Sequence, residues 1–145
     1  MANRLQIEDC ISFVVAKASQ QISRRFRDAL AGHGVTPVQY AILSVLWERD
    51  GLSGSELSSR LAIDSATMTG LIDRMEVIGL VKRSAADGDR RVNRVVLTAR
   101  GLELEKPLVK VVAQLNKDIA DELGGHAPRL WKALRRLGGV SGKKL

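Results

Sequence analysis

The sequence predicts a mainly α-helical protein with one small β-hairpin. Three observations support this: apolar residues recur at helical spacing over most of the chain, helix-capping residues stand where those helices would begin, and the apolar period changes to two in only one region. A length of 145 residues is typical of one domain, which we expect to span 1–145.

Composition narrows the class of protein. An apolar fraction of 45% fits a globular chain, and no apolar run approaches the roughly 18 residues that span a bilayer. The first residues reach acidic side chains before any apolar stretch, unlike a signal peptide, so we expect a cytoplasmic protein without a membrane partner. The single cysteine, Cys10, excludes an internal disulfide and any zinc site built on two thiolates, and we expect neither a metal nor a cofactor.

The first predicted element is a long helix from Leu5 to Ala31. Its apolar residues keep helical spacing for about seven turns. Gly32 and Gly34 then favour its end, because glycine adopts the left-handed backbone conformation at low cost. So long a helix ahead of a small domain has few neighbours in its own chain, and we expect its apolar stripe to pack on a partner chain.

Two helices that begin with capping boxes follow. A capping box pairs a Ser or Thr cap with a Glu or Gln three residues later. Thr36 and Gln39 form the first box, with Pro37 at the first helical position, and the apolar pattern continues to about residue 48. Ser53 and Glu56 form the second box, which starts a short helix through about residue 61.

A tight break at 62–64 leads into another helix. Asp64 is its expected cap, because a carboxylate at this position accepts hydrogen bonds from the first free amides. Gly79 is expected to end it. The residues expected on its buried side are Met68, Leu71, Ile72 and Met75.

After Gly79 the period changes to that of strands. Strands are predicted at 80–84 and 92–97, and the Asp87-Gly88 pair between them is a strong hairpin signal. Basic residues are concentrated here, and the formal charge of the chain is +7, which suggests a polyanionic partner.

Two further helices complete the pattern. Thr98 is expected to cap a long helix through about residue 123, kinked at Pro107 because proline cannot donate the helical hydrogen bond. The last helix, at about 127–137, is rich in basic residues, which more often form a solvated face than a contact with a polyanionic partner. Its expected inward residues are Leu130, Trp131, Leu134 and Leu137.

Together these elements predict a winged helix-turn-helix at 36–100. In such a module the second of two short helices enters the major groove of B-DNA, while the first braces it. The hairpin, or wing, reaches the adjacent minor groove, where negative potential attracts a guanidinium group.

This region resembles the MarR family of transcriptional regulators. The resemblance covers about residues 30–102 and rests on five motifs in order: LSGSEL (52–57), AIDSATMTGLIDRME (62–76), GLVKR (79–83), DRR (89–91) and VLTARG (96–101). It implies a homodimer, entwined through helices at 1–31 and 101–138, that binds double-stranded DNA at a pseudo-palindromic operator. Repression of transcription is the activity that the resemblance implies.

The resemblance also implies roles for individual residues. Arg91 would enter the minor groove, held by a charge-assisted pair with Asp89. The recognition-helix residues that would contact bases or phosphates are Ser65, Thr67, Thr69 and Arg74. The candidates for phosphate contacts are Ser53, Ser55, Arg83 and Arg94. On a plainer interpretation, Ser65 and Thr67 satisfy the helix N-terminus, and Arg74 pairs with Asp73 or Glu76.

Members of this family are commonly released from DNA by small aromatic or carboxylate ligands. A pocket for such an effector is expected where the first, second and fifth helices meet. The candidate ligand-binding residues are Ser12, Tyr40, Trp47 and Arg49, although each also fits a structural role.

Thiol oxidation is the other release mechanism that the resemblance suggests, with Cys10 as the candidate. The reactive cysteine of the peroxide-sensing branch aligns with Ser12 instead, and its two supporting tyrosines align with Phe26 and Pro37. Without a polar or cationic setting to lower its pKa, Cys10 also fits a small packing residue inside the first helix.

Two other classes of function are weighed against DNA-binding regulation. The sequence has no nucleotide-binding glycine motif, no His–carboxylate cluster and no activated nucleophile. We therefore do not expect the protein to be an enzyme. A winged-helix module that binds protein, or binds DNA without sequence preference, is the second alternative; the latter would have an affinity set almost wholly by salt and charge.

Overall fold

The computed structural model describes residues 4–86 and 89–141, with the backbone alone at 86 and 89–92. The mainly α fold class is confirmed. Over this part of the chain the helices are α1 (Ile11–Ala31), α2 (Pro37–Glu48), α3 (Gly54–Leu61), α4 (Ser65–Val77), α5 (Ala99–Glu103), α6 (Glu105–Leu123) and α7 (Ala127–Leu137). The strands are β1 (Leu52–Ser53), β2 (Val81–Ala86) and β3 (Asp89–Leu97).

Helix α1 begins at Ile11, whereas the apolar pattern predicted a start at Leu5. A single 3₁₀ turn at Ile7–Asp9 precedes it, and Cys10 between the two is extended, with φ −80° and ψ 115°. Leu5 and Ile7 are 72% and 56% exposed. Because their side chains have little packing surface within the chain, periodicity alone does not sustain a helix there.

The start signals of α2 and α3 are confirmed. Gln39 N–H donates to Thr36 Oγ1 at 3.3 Å, and Thr36 N–H donates to Gln39 Oε1 at 3.0 Å. Ser53 and Glu56 make the same reciprocal pair at 3.1 and 2.8 Å. The break after α3 turns sharply because Ala62 adopts the left-handed conformation, with φ 53°.

The three strands form an antiparallel sheet in the order β1-β3-β2. The predicted hairpin is therefore confirmed, although its turn residues, Asp87 and Gly88, lie outside the described residues. The sequence pattern missed β1, because two residues are too few to show a period. This strand pairs Leu52 with Val95 and Ser53 with Arg94, which ties the start of α3 to the wing.

The expected kink at Pro107 is a break in the helix. The segment that begins after Thr98 divides at Leu104 into α5 and α6. Proline has no N–H for the carbonyl of Glu103, four residues earlier, and its ring crowds that carbonyl. As a result α5 stays against the sheet, whereas α6 packs along α1.

One hydrophobic core holds α2, α3, α4 and the sheet together, and Leu30 of α1 and Leu108 of α6 complete it. Helix α7 differs from the prediction, since Leu130, Leu134 and Leu137 are 37%, 46% and 76% exposed instead of inward. No further element of the described chain covers that side of α7. None of the described helices combines the length and apolar character needed to cross a membrane.

Candidate nucleic-acid interface

Helix α4 has one side in the core and the other in solvent. The buried side consists of Met68, Leu71, Ile72 and Met75, as predicted. The exposed polar side includes Ser65, Thr67, Thr69 and Arg74. A helix about 10–12 Å across fits the major groove of B-DNA, about 12 Å wide, so this side is available to base edges.

The cap of α4 organises the first turn of that surface. Asp64 Oδ1 accepts a hydrogen bond from Thr67 N–H at 2.9 Å, and Asp64 Oδ2 accepts one from Thr67 Oγ1 at 2.7 Å. The bond from the backbone N–H, and after it the bond from the hydroxyl, lower the pKa of Asp64. The cap is therefore a carboxylate at neutral pH.

The threonines of α4 are left with acceptors and methyl groups to offer. Thr67 Oγ1 donates to Asp64, and Thr69 Oγ1 donates to the Ser65 carbonyl at 2.9 Å. Each hydroxyl has one proton, so the remaining capacity of each oxygen is to accept. In the major groove these groups match an adenine or cytosine amino group, or the methyl group of thymine.

The two arginines on and beside α4 differ in their surroundings. Arg83 Nη1 lies 2.7 Å from Asp73 Oδ1 and also contacts Glu76 Oε1. The carboxylates that could have paired with Arg74 are thus paired with Arg83. Arg74 lies on the exposed side, and a Cβ atom placed on Gly70 would be 3.9 Å from its Nη1.

The other phosphate candidates surround the start of α3. Ser53 Oγ accepts from Glu56 N–H as the helix cap, and Ser55 is exposed in the first turn. Arg94 Nη1 lies 3.3 Å from both the Gly51 carbonyl oxygen and Glu56 Oε2. The backbone N–H of Ser53 is the main cause of the lowered pKa of Glu56. Ser55 and the free amides beside it remain open to an anion.

The wing, formed by β2 and β3, carries the other candidate DNA-contacting residues. The backbone of Asp89 and Arg91 belongs to β3, but their side chains lie outside the described residues. Lys82 on β2 is exposed and was absent from the predicted site. It alternates with buried Val81 and half-buried Arg83, so it lies on the opposite face of the strand. The two-residue period of the predicted strand already placed Lys82 and Arg83 on opposite faces, and the structure shows which of the two faces is exposed.

Two of the four candidate ligand-binding residues pack against each other. The ring centroids of Tyr40 and Trp47 are 6.0 Å apart, and Arg49 follows as the C-cap of α2. Trp47 Nε1–H donates to the Gly101 carbonyl at 3.0 Å. Ser12 does not join them, because it lies about 21 Å along α1 from Phe26, the neighbour of Tyr40.

Cys10 has a more polar setting than the sequence suggested. It precedes α1, and its Sγ lies 3.1 Å from Ser12 Oγ. The hydrogen bond with the Ser12 side chain, and then the N–H groups of Phe13 and Ser12, lower the pKa of the thiol. The prediction that Cys10 lies inside the first helix is therefore wrong, because Cys10 precedes Ile11 as the N-cap residue. Within the described part of the chain, no three His, Cys, Asp or Glu side chains cluster as metal ligands would.

An apolar groove of about 300 Å³ lies between α1, α6 and α7. The apolar residues that form its walls include Ile22, Phe26, Ile119, Leu123, Leu130 and Leu134. Beside it, Arg25 binds Glu122 through two hydrogen bonds of 2.7 and 3.1 Å. Farther along α1, Ile11, Val14 and Val15 are also exposed, so the terminal helices leave a large apolar surface uncovered.

Comparison with known proteins places these features among regulators of transcription. The model of the MarR family matches residues 35–92. The chain is 39% identical over 99 residues to the HTH-type transcriptional regulator TtmR of Methylorubrum extorquens. That match includes 68% of this chain and 51% of TtmR, so the chain spans about half the length of this relative. This relative is named as a transcriptional regulator.

Two other similarities cover nearly the whole chain. The organic hydroperoxide resistance transcriptional regulator of Bacillus subtilis is 26% identical over 138 residues, which are 93% of this chain and 94% of that protein. The repressor CouR of Rhodococcus jostii, solved with a 23-mer DNA duplex, superposes with a TM-score of 0.82. That superposition covers 94% of this chain and 99% of CouR at 24% identity, and it shows the shared fold.

Proposed function

The chain belongs to the MarR family of transcriptional regulators, and on that premise we propose that it is a homodimeric repressor of a pseudo-palindromic operator. It would act in the cytoplasm, where its operator DNA lies. A small aromatic or carboxylate ligand would release it from DNA.

The single observation that best supports operator recognition is the polar, exposed side of α4. Ser65, Thr69 and Arg74 are exposed, whereas the apolar residues of α4 are buried and hold the helix against the core. Arg74 supplies the guanidinium group that commonly reads guanine, while the threonines offer acceptors and methyl groups. The helix thus presents different chemical groups at different positions. Discrimination among base sequences requires such differences, because each base pair offers its own pattern of donors and acceptors.

The remaining candidates would anchor the backbone of the duplex. Ser55 and Arg94 lie around the start of α3, and we add Lys82 as a candidate phosphate contact from β2. Arg91 is proposed to enter the minor groove beside α4, with Asp89 as its partner. Arg83 is withdrawn from this set because its guanidinium is paired with two carboxylates of α4.

A second copy of the chain is proposed to cover the terminal helices. Both the groove between α1, α6 and α7 and the exposed residues of α1 are apolar. Together they form a larger apolar surface than the single exposed apolar residues that are usual on a protein. Two copies joined there would present two α4 helices to half-sites about one turn of DNA apart.

The test is a titration, by fluorescence anisotropy, of a duplex that the protein selects from a random library and of its shuffled sequence. A preference of about a thousandfold or more at physiological salt is expected for a specific regulator. Equal, weak and steeply salt-dependent binding to both duplexes would instead identify a module without sequence preference.

The wing contact is tested in the same assay with Arg91→Ala. We expect a loss of about 1–3 kcal/mol in binding to the selected duplex while the dimer stays folded. Lys110→Ala, which removes an exposed cation from α6, is the control for net charge. Unchanged affinity with an unchanged melting temperature would remove Arg91 from the interface.

The effector is proposed to bind beside Tyr40, Trp47 and Arg49. Burial raises the pKa of Tyr40, so its hydroxyl stays protonated and can donate to a carboxylate. The aromatic rings of Tyr40 and Trp47 provide an apolar wall, and Arg49 provides a cation. Salicylate and benzoate are the first probes to add to the protein–duplex complex. Release that is unaffected in Arg49→Ala would place the site elsewhere.

Thiol oxidation is a second candidate for release, favoured by the lowered pKa of Cys10. A larger thiolate fraction makes the sulfur more reactive towards peroxides. An organic hydroperoxide should then release the wild-type protein from its duplex and leave Cys10→Ser bound. Release of both proteins, or of neither, would refute this role for Cys10.

A further inference from the structure

Arg83 lies on the side of the wing that faces the recognition helix. In the β2–β3 register, Arg83 is opposite Val95, which is 1% exposed, and Val81, two residues earlier on the same face, is 2% exposed. Residues directly opposite each other in an antiparallel pair share a face. The side chain of Arg83 therefore leaves β2 on its core side, against α4, and not on the side of exposed Lys82.

Two carboxylates of α4 converge on Arg83. Asp73 and Glu76 are three residues apart and so lie on the same side of the helix. Nη1 of Arg83 lies 2.7 Å from Asp73 Oδ1 and contacts Glu76 Oε1, while Glu76 Oε2 accepts from the backbone N–H of Arg83 at 3.3 Å. Glu76 thus binds both the backbone and the side chain of the strand residue.

This connection differs from an isolated surface ion pair. The side chains of Arg83 and Glu76 are 27% and 33% exposed, and three charges share one network. Asp73 is the more exposed member of this network, at 59%. An ion pair that belongs to a network of charges stabilises a fold more reliably than a single exposed pair. Without Arg83, the carboxylates of Asp73 and Glu76 would be uncompensated negative charges one and two residues from Arg74.

We propose that Arg83 is a positioning residue, which fixes the recognition helix relative to the wing so that both meet DNA in one geometry. This rests on the proposed function. Arg83 acts through Asp73 and Glu76 and contributes no phosphate contact of its own. A base-reading helix that rocks against the wing would keep its charge and lose discrimination, because alignment of donors with base edges is lost first.

The test measures, for Arg83→Met and Arg83→Lys, the affinity ratio between the selected and shuffled duplexes and the salt dependence of binding. Both carboxylates meet one nitrogen of Arg83, so a lysine can replace it. We expect Met to lower the ratio by about tenfold or more, Lys to restore most of it, and the salt slope to stay unchanged. A salt slope smaller by about one with an unchanged ratio would show a phosphate contact and overturn the proposal.

A second variant leaves Arg83 in place and removes its partners. Asp73→Asn with Glu76→Gln should lower the ratio although the protein becomes more positive. If Arg83 contacted phosphate, freeing it would strengthen binding to both duplexes and keep the ratio, against the proposal. Absence of any preferred duplex for the wild-type protein would refute operator binding itself, whereas a wild-type preference with unaltered variant ratios would refute only the role of Arg83.

Discussion

Among the described glycines, Gly101 has the least room for a side chain. A Cβ atom there would lie 2.3 Å from the Leu80 carbonyl oxygen and 3.2 Å from Leu97 Cδ2. Its own N–H donates to Thr98 Oγ1 at 3.1 Å, and its carbonyl accepts from Trp47. The residue joins α5 to the sheet and to α2, and the backbone atoms around it are held by these bonds.

Gly101→Ala is therefore expected to lower the free energy of unfolding by about 1–3 kcal/mol, the usual cost of overpacking. The clash is with a backbone carbonyl, which cannot rotate away as a side chain can. Urea denaturation measures the change. Gly32→Ala is the matched control, since nothing lies within 4 Å of a Cβ atom there. Equal stabilities of the two variants would contradict the packing seen at Gly101.

Residues whose roles are local could be predicted from sequence, and those whose roles depend on register could not. The caps at Thr36, Ser53 and Asp64 were predicted because each acts within its own first turn. The pairing of Arg83 with α4 depends on which face of β2 it occupies. Sequence alone left that face open, so Arg83 resembled any other exposed cation beside DNA.

At the scale of elements, α4 is held at several points along its length. Asp64 caps its first turn, Arg83 binds two carboxylates in its C-terminal part, and Thr98 Oγ1 lies 2.6 Å from the carbonyl oxygen of Gly79 just beyond its end. Arg100 Nη1 donates to the Ile78 carbonyl at 3.1 Å. The helix that we propose to read bases is thus fixed to α5 as well as to the wing.

The stability of this helix should depend on pH through Asp64. Its pKa is lower in the folded protein than the ordinary value of about 3.9, so its contribution is present above that value and is lost as pH falls through the folded pKa. Asn caps helices about as well without titrating. The melting temperature of Asp64→Asn should therefore fall less between neutral pH and pH about 3 than that of the wild-type protein.

Asp121→Asn on α6 controls for the loss of one negative charge, because Asp121 makes only an exposed ion pair with Lys117. We expect its acid sensitivity to match that of the wild-type protein. Identical acid shifts in Asp64→Asn and the wild-type protein would mean that the cap contributes nothing to pH dependence.

Element boundaries were predictable where a single residue determines them. The starts of α2 and α3 follow from capping, and the division at Leu104 follows from the missing N–H of Pro107. The start of α1 and the strand β1 were not predictable, because each depends on a surface elsewhere. Ile7 continues the helical spacing of the apolar residues in α1 but has little to pack against, and β1 exists only through its pairing with β3.

At the scale of the whole molecule, the core crosses the predicted boundaries. The DNA-binding lobe at 36–100 and the dimerisation helices at 1–31 and 101–138 stay predictions. Leu30 and Leu108, from either side of the lobe, belong to the same hydrophobic cluster as Ile42, Met68 and Val95. A change in the packing of α1 and α6 can thus reach the lobe through continuous side-chain contacts, as release by an effector would require.

The proposed dimer predicts that a change at Leu134 of α7 weakens the association of the two copies. This residue lines the groove and is 46% exposed, so a second copy seated there would bury it. Leu134→Lys should raise the dimer dissociation constant by about tenfold or more, because a charge would enter an apolar interface. Operator affinity should fall with it, since a monomer holds only one half-site. Val77→Lys, at an 87% exposed residue of α4 outside both predicted dimerisation segments, is the control for the dissociation constant. Sedimentation velocity across a dilution series compares them, and equal dissociation constants would move the dimer interface away from α7.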